Sequence, residues 1–283
     1  MNPDEVFMSD AETLVREGRC LSHDAKGADH PMPLVLLHGF GGARAVWNDI
    51  VSALPVDRRT IAFDLPGFAE SLDWPDAGHV GKAARAVETS LDHLGVDKVH
   101  LAGHSMGGAT AVLFALNNPG RVRSLTLLAP GGFGSEINHR LLNRYAEASS
   151  REELEVLLEQ FFGWQAPLPD GLVDTYWALR QKPGMRESLI RIAGAILDGD
   201  KQGVLPRDRL PWLGCPVKVL WGTQDRVVPT RQAHRLDGLV STHIFEQVGH
   251  MLPEEIPAEA ARLIAENIVA GDAIAYPLDA PGS

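Results

Sequence analysis

A serine hydroxyl attacks a carbonyl well only when a base can take its proton and a third group orients that base. One serine in this chain of 283 residues sits in a setting suited to that use. Gly103-His104-Ser105-Met106-Gly107 follows the apolar run Val99-His100-Leu101-Ala102 and precedes a helix-compatible stretch from Gly108 to Leu116. Gly-x-Ser-x-Gly at a strand-to-helix turn lifts the hydroxyl above the sheet edge and aims the next amide, that of Met106, at a developing oxyanion. The pattern alone is short enough to arise by chance. A glycine-rich turn that needs close packing is the plain alternative.

With this kind of turn the acid and base should follow in the order Ser, Asp or Glu, His. Asp225 lies in Gly222-Thr223-Gln224-Asp225, just past the strand-like run Val217–Trp221. A local turn or cap is its competing role. His250 lies in Val248-Gly249-His250-Met251, a loop marked by Gly249 and Pro253. His234 reads as helical and His243 as part of a strand, so His250 is the better base. A second oxyanion donor is expected from His38-Gly39-Phe40-Gly41-Gly42, through the Phe40 amide, with His38 tying the loop together. The expected pocket adds Gly39, Gly41, His104, Val227 and Met251 from the core, and Phe133, Phe162, Trp164 and Trp177 from the segment after residue 131. Most aromatic residues of that segment suit helix packing. Arg140, Arg144, Arg180 and Arg186 could grip a carboxylate, though solvated arginine is commoner.

Residues at strand ends need a sheet to hold them. Apolar runs at 33–37, 60–63, 98–102, 124–129 and 217–221 alternate with helical patterns near 44–54, 79–94 and 106–118. Short continuous apolar runs bounded by Gly and Pro suit a buried parallel sheet with helices on both faces, an α/β fold that binds ligands beyond its strands' carboxyl ends. From about Gly132 to Leu210 strands give way to helical stretches at 137–148, 151–162, 171–181 and 186–197, the second with an N-cap candidate at Ser150. The expected organisation is a core over residues 1–131 and 211–270, a helical lid over 132–210 and a flexible tail over 271–283.

Composition narrows the partners. Net charge is −11, which disfavours nucleic acid and anionic membrane surfaces. Cys20 and Cys215, far apart, do not suggest a disulfide framework. The acidic start, Met1-Asn2-Pro3-Asp4-Glu5, is not followed by a signal-like apolar stretch, so a cytoplasmic protein without membrane contact is expected. The oligomeric state, monomer or homodimer, is left open.

Taken together, His38–Gly42, Asp64-Leu65-Pro66-Gly67-Phe68-Ala69-Glu70-Ser71, Gly103–Gly108, Trp221–Asp225 and Gly249-His250 resemble the α/β-hydrolase superfamily in order and spacing. That resemblance implies the α/β-hydrolase fold, with the lid inserted after the sixth strand. It departs at Ala69, where relatives often have Gly. Gly131–Asn138 resembles stand-alone relatives of the hydrolase-like domain in acetoin-dehydrogenase acyltransferase components; no lipoyl-bearing domain precedes it, so a role in that complex is not expected. Met106–Ala111 with Gly131–Gly134 also resembles meta-cleavage-product C–C hydrolases. Those usually carry Asn at position 104 and Trp at 251, where this chain has His104 and Met251.

The expectation is therefore a serine hydrolase, carboxylesterase-like. It would cleave an ester or thioester of a small to medium apolar acyl group through an acyl-enzyme, with no metal or cofactor. A C–C bond hydrolase is the alternative, and a non-catalytic receptor or scaffold on the same fold a further one.

Overall fold

The structure is a computed structural model and describes residues 19–274. Most strands stop at or within two residues of Gly, Pro, Asp or the Ser105 turn. They are β1 (His23–Lys26), β2 (Leu34–Leu37), β3 (Thr60–Phe63), β4 (Val99–His104), β5 (Val122–Leu128), a short hairpin of β6 (Leu197–Asp198) and β7 (Lys201–Gln202), β8 (Val217–Gly222) and β9 (Val240–Phe245). Among the described residues seven of them form one sheet in the order β1-β3-β2-β4-β5-β8-β9. All neighbours are parallel except β1, which runs antiparallel to β3 at the edge. β2 to β5 are buried along their whole length, as strands covered on both faces must be.

The core helices are α1 (Asn48–Ala53), α2 (Val80–His93) and α3 (Met106–Asn117). α2 buries one stripe (Ala83, Ala84, Ala86, Val87, Ser90, Leu91), whereas α3 buries every residue from Met106 to Val112. α3 is apolar almost all round because it is wedged between the sheet and α2. Between β5 and β8 come the lid helices α4 (His139–Glu147), α5 (Arg151–Leu158), α6 (Leu172–Arg180) and α7 (Met185–Ile196). Ser150 caps α5, its Oγ accepting from Glu153 N at 3.1 Å. The insertion follows β5; counted over the described residues that strand is the fifth, not the sixth. The β6–β7 hairpin within the insertion has no counterpart in the helical reading of that region.

The chain ends its described part with α8 (Leu252–Glu255) and α9 (Pro257–Asp272), the latter packed over β5, β8 and α1. The expected flexible tail does not begin at residue 271. Gly271 and Asp272 belong to α9, and Gly271 lies so close to β5 that a Cβ there would meet Arg123 O at 2.3 Å. Residues 275–283 of that tail lie outside the described residues.

The Asp272 carboxylate, 32% exposed, also closes a network at the amino-terminal ends of the strands. Ser124 Oγ lies 2.9 Å from His100 Nδ1, and His100 Nε2 lies 3.1 Å from Asp272 Oδ1. These are the residue types of a catalytic relay, but His100 and Ser124 are buried at the wrong end of the sheet for a substrate. Burial, partly countered by the Asp272 carboxylate, holds the His100 imidazole down from 6.5 to about 4. The unfolded chain therefore takes up this proton first as pH falls. Stability should drop between about pH 6.5 and 4, by on the order of 3 kcal/mol from this group. Urea melts at pH 7 and pH 4.5 check this. His100→Gln should lose clearly less stability over that interval than the natural protein; an equal loss removes His100 as the cause.

Candidate active site

The Ser105 turn is built from close backbone contacts. Ser105 has φ +52° and ψ −115°, a conformation that costs a non-glycine residue about 1–3 kcal/mol. The surroundings enforce it: Ser105 N donates to Leu128 O at 2.9 Å, and Ser105 O accepts from Ala109 N and Gly131 N at 3.0 Å each. A Cβ on Gly103 would come within 2.4 Å of Gly107 O, and one on Gly107 within 2.2 Å of Leu37 O. Both glycines of the motif are thus required by packing against β2 and the turn itself.

The loop after β2 supplies the facing wall. Leu65 N donates to His38 Nε2 at 2.9 Å, so the ring proton sits on Nδ1 and is donated to Gly39 O at 2.7 Å. His38 is a strut, as its place in the loop suggested, and burial holds its proton affinity low. Asp64 receives the Arg44 guanidinium and amide and the Glu70 amide, tying down the neighbouring loop. In that loop Ala69 takes φ +46°, a left-handed conformation that explains why glycine suits the position. Among the described residues the Phe40 and Met106 amides donate to no protein acceptor, which leaves both available to an oxyanion.

Asp225 and His250 meet although 25 residues apart. His250 Nδ1 lies 2.8 Å from Asp225 Oδ2. Oδ2 also accepts from Trp221 Nε1 at 3.0 Å, while Oδ1 accepts from Val227 N at 2.8 Å and Val228 N at 2.9 Å. The turn role and the orienting role of Asp225 are therefore filled together. A carboxylate facing Nδ1 makes that atom the donor and leaves Nε2 free to act as a base. The His250 backbone is pinned as well: its N donates to Phe161 O at 2.7 Å and its O accepts from His104 Nε2 at 2.8 Å. Burial first, and the neighbouring His250 next, hold His104 well below the ordinary imidazole range, so it stays neutral.

Two acidic residues missed by sequence reasoning brace this loop. Glu255 accepts from Gly249 N, Met251 N and Gly163 N at 3.0, 3.2 and 2.8 Å, joining the His250 loop to the lid. Glu254 accepts from the Tyr176 hydroxyl of α6 at 3.1 Å, and burial pushes its carboxyl up to about 8. The Glu-Glu pair just after the loop was the available signal, but it reads equally well as a solvated helix start.

Ser105 lies between two cavities. A large one of about 430 Å³ is lined by Phe40, Met106, Val227 and mainly apolar side chains of α3, the lid and the β6–β7 hairpin. A small one of about 20 Å³ is lined by Gly39, His104, His250, Met251, Phe161 and Tyr176 among others. Ser105, Phe40, Leu142 and Val227 border both. No hydrogen bond joins Ser105 to His250 among the described residues; such contacts often tighten only with substrate in place.

Of the expected pocket residues, Gly39, His104 and Met251 line the small cavity and Val227 both. The other five line neither. Gly41 faces the Tyr145 ring, Phe133 meets the Trp221 ring at a tilt with centroids 6.1 Å apart, and Phe162 is buried and offers its carbonyl to Arg226. Trp177 is half-buried against the core, and Trp164 is 71% exposed. Phe162 and Trp177 pack the lid onto the core, and the lid aromatics that do border the cavity beside Ser105 are Phe161 and Tyr176. Arg180 and Arg186 donate to carbonyls at the end of α4, and none of the four arginines borders either of these two cavities. Ile137, Leu142, Ile196 and Leu205 were missed as walls, as were Leu197, Asp198 and Gln202 of the hairpin, at which only the Asp198-Gly199 turn hinted.

Comparison with known proteins adds the following. A sequence model described as the alpha/beta hydrolase fold matches residues 32–257. The dihydrolipoyllysine-residue acetyltransferase component of the acetoin cleaving system of Pseudomonas putida is 35% identical over 89% of this chain. The match covers 66% of that protein, and a Cupriavidus necator counterpart is matched over 58% of its length. A 2-hydroxy-6-oxo-6-phenylhexa-2,4-dienoate hydrolase of Burkholderia cepacia is 32% identical over 77% of this chain and 80% of its own. Among solved structures, a bacterial membrane phospholipase A superposes with a TM-score of 0.75 at 26% identity, covering 94% of this chain and 91% of its own. Among the described residues no helix is long and apolar enough to cross a membrane.

Proposed function

Because the chain belongs to the alpha/beta hydrolase fold family, we propose that it is a serine hydrolase cleaving carboxylic esters of apolar acids. The observation that carries this reading is the 2.8 Å contact of His250 Nδ1 with the buried Asp225 carboxylate, on a loop bordering the same cavity as Ser105. Ser105 Oγ attacks the ester carbonyl while its proton passes to His250 Nε2. The Phe40 and Met106 amides hold the tetrahedral oxyanion, each donor worth about 10²–10³ in rate in comparable sites. The carbon–oxygen bond to the alcohol then breaks, and His250 returns the proton to the departing oxygen. Water, deprotonated by His250, frees the acid and restores Ser105. Asp225 holds the imidazole in the required tautomer throughout. This chemistry draws on no metal or cofactor, and a thioester would follow the same steps.

The dienoate hydrolases among the relatives favour a second reading, C–C bond cleavage with the same serine and histidine. A dienoate carries a carboxylate, whereas among the described residues neither cavity is lined by Lys or Arg and the larger is bordered by Asp198. Taking that charge out of water without a partner is costly, which supports the neutral ester. Two measurements test the choice. Intact mass after fluorophosphonate treatment should show one adduct, absent in Ser105→Ala. Rates on a panel of esters and thioesters should exceed those on a chromogenic dienoate. Faster turnover of the dienoate would replace this reading with the second.

A further inference from the structure

The two cavities beside Ser105 differ in volume by more than an order of magnitude, and only the small one touches His250. That asymmetry bears on which half of an ester goes where. The leaving oxygen must receive its proton from His250, so the alcohol lies on the His250 side of the attacked carbon. The acyl chain lies on the other side. Building on the serine esterase reading above, we infer that the substrates join a neutral apolar acyl group of medium length to a very small alcohol, of the size of methanol.

The walls fit the division. The acyl side is lined by Ala109, Leu113, Ile137, Leu142, Ile196 and Leu205, with the polar groups His79, Asp198 and Gln202 also on its border. The alcohol side is closed by Val46, Phe161, Tyr176 and Met251. Its roughly 20 Å³ is about what one water molecule needs. The ends of this space are not soft: Phe161 O holds His250 N, and Tyr176 is held by Glu254. The same small volume serves the second half of the reaction. Once the alcohol has left, a water takes its place beside His250 while the acyl chain stays seated, so deacylation needs no rearrangement of the lid.

Two isomeric esters test the orientation at equal composition and nearly equal hydrophobicity: methyl nonanoate and octyl acetate. Because a single misplaced methylene in a tight pocket costs about 10-fold or more, kcat/KM should favour methyl nonanoate by at least roughly that factor. Equal rates, or preference for octyl acetate, with Ser105 still labelled by the fluorophosphonate, would overturn the orientation and leave the esterase reading standing. Hydrolysis of neither ester together with no label on Ser105 would overturn both. A second arm widens the alcohol side. Met251→Ala and, separately, Val46→Ala should raise the rate on butyl nonanoate relative to methyl nonanoate. An unchanged ratio in both folded variants counts against the assignment.

Discussion

Ser105→Ala should lower kcat for ester hydrolysis by about 10⁶-fold, because a serine and histidine that act as one unit lose nearly everything when either is removed. The residue that remains cannot form the acyl-enzyme. What survives is substrate positioning and the Phe40 and Met106 amides, worth about 10³–10⁴ over water in a comparable triad. KM should change little, since the hydroxyl contributes almost nothing to the apolar walls. Stability should change little too. Ser105 Oγ makes no hydrogen bond among the described residues, and alanine inherits the same left-handed backbone that serine already endures. Initial rates on the best ester of the panel, with a thermal melt of both proteins, check this. A folded Ser105→Ala protein within tenfold of the natural rate would falsify the nucleophile assignment.

The second large effect concerns Asp225→Asn, for which kcat should fall by about 10⁴, the size seen when a triad histidine is left in the wrong tautomer. The reason lies in the four donors around this carboxylate: His250 Nδ1, Trp221 Nε1, Val227 N and Val228 N. Asparagine brings one oxygen and one NH₂ to a site that needs two acceptors. If its oxygen stays with the backbone amides, the NH₂ faces Trp221 N–H and forces His250 to present Nδ1 unprotonated. The proton then moves to Nε2 and the base is gone. If the amide flips, two backbone donors are opposed instead. Either arrangement also costs about 1–3 kcal/mol of stability for an unmet buried donor. Activity and urea melts measured together separate the two effects; a folded variant losing less than tenfold in kcat would mean that Asp225 only shapes the turn.

Much of this site is readable before folding because each element is a local pattern. The Ser105 turn, the glycine-rich loop after β2 and the Asp225 turn are short segments whose strand ends are marked by apolar runs and turn residues. Asp225 and His250 could be chosen from chain order and loop context. The cap at Ser150 followed from spacing alone. Left-handed Ala69 is a case where a departure from relatives was visible but its backbone meaning was not.

What could not be read is whatever depends on distant segments meeting. His100, Ser124 and Asp272 carry relay chemistry by type, yet 172 residues separate His100 from Asp272, and only the docking of α9 brings them together. Glu254 and Glu255 look like surface charge in sequence; Tyr176 of the lid covers one, and the other takes one amide from the lid and two from the His250 loop. The lid aromatics illustrate the same limit. Periodicity shows that a helix has an apolar face but not which surface that face meets, so Trp164 points outward and Phe133 is sunk against Trp221.

The sequence by itself singled out the serine, aspartate and histidine proposed for the chemistry, their order and the kind of sheet that holds them. These depend on residue identity and on backbone constraints spanning a few positions. Tertiary structure alone decided the space around that chemistry: a cavity of about 430 Å³ on one side of Ser105 and about 20 Å³ on the other. Those volumes are what remains between α3, the lid, the hairpin and the His250 loop after all have packed. No local stretch of chain encodes such a remainder, and the proposed choice of substrate rests on it.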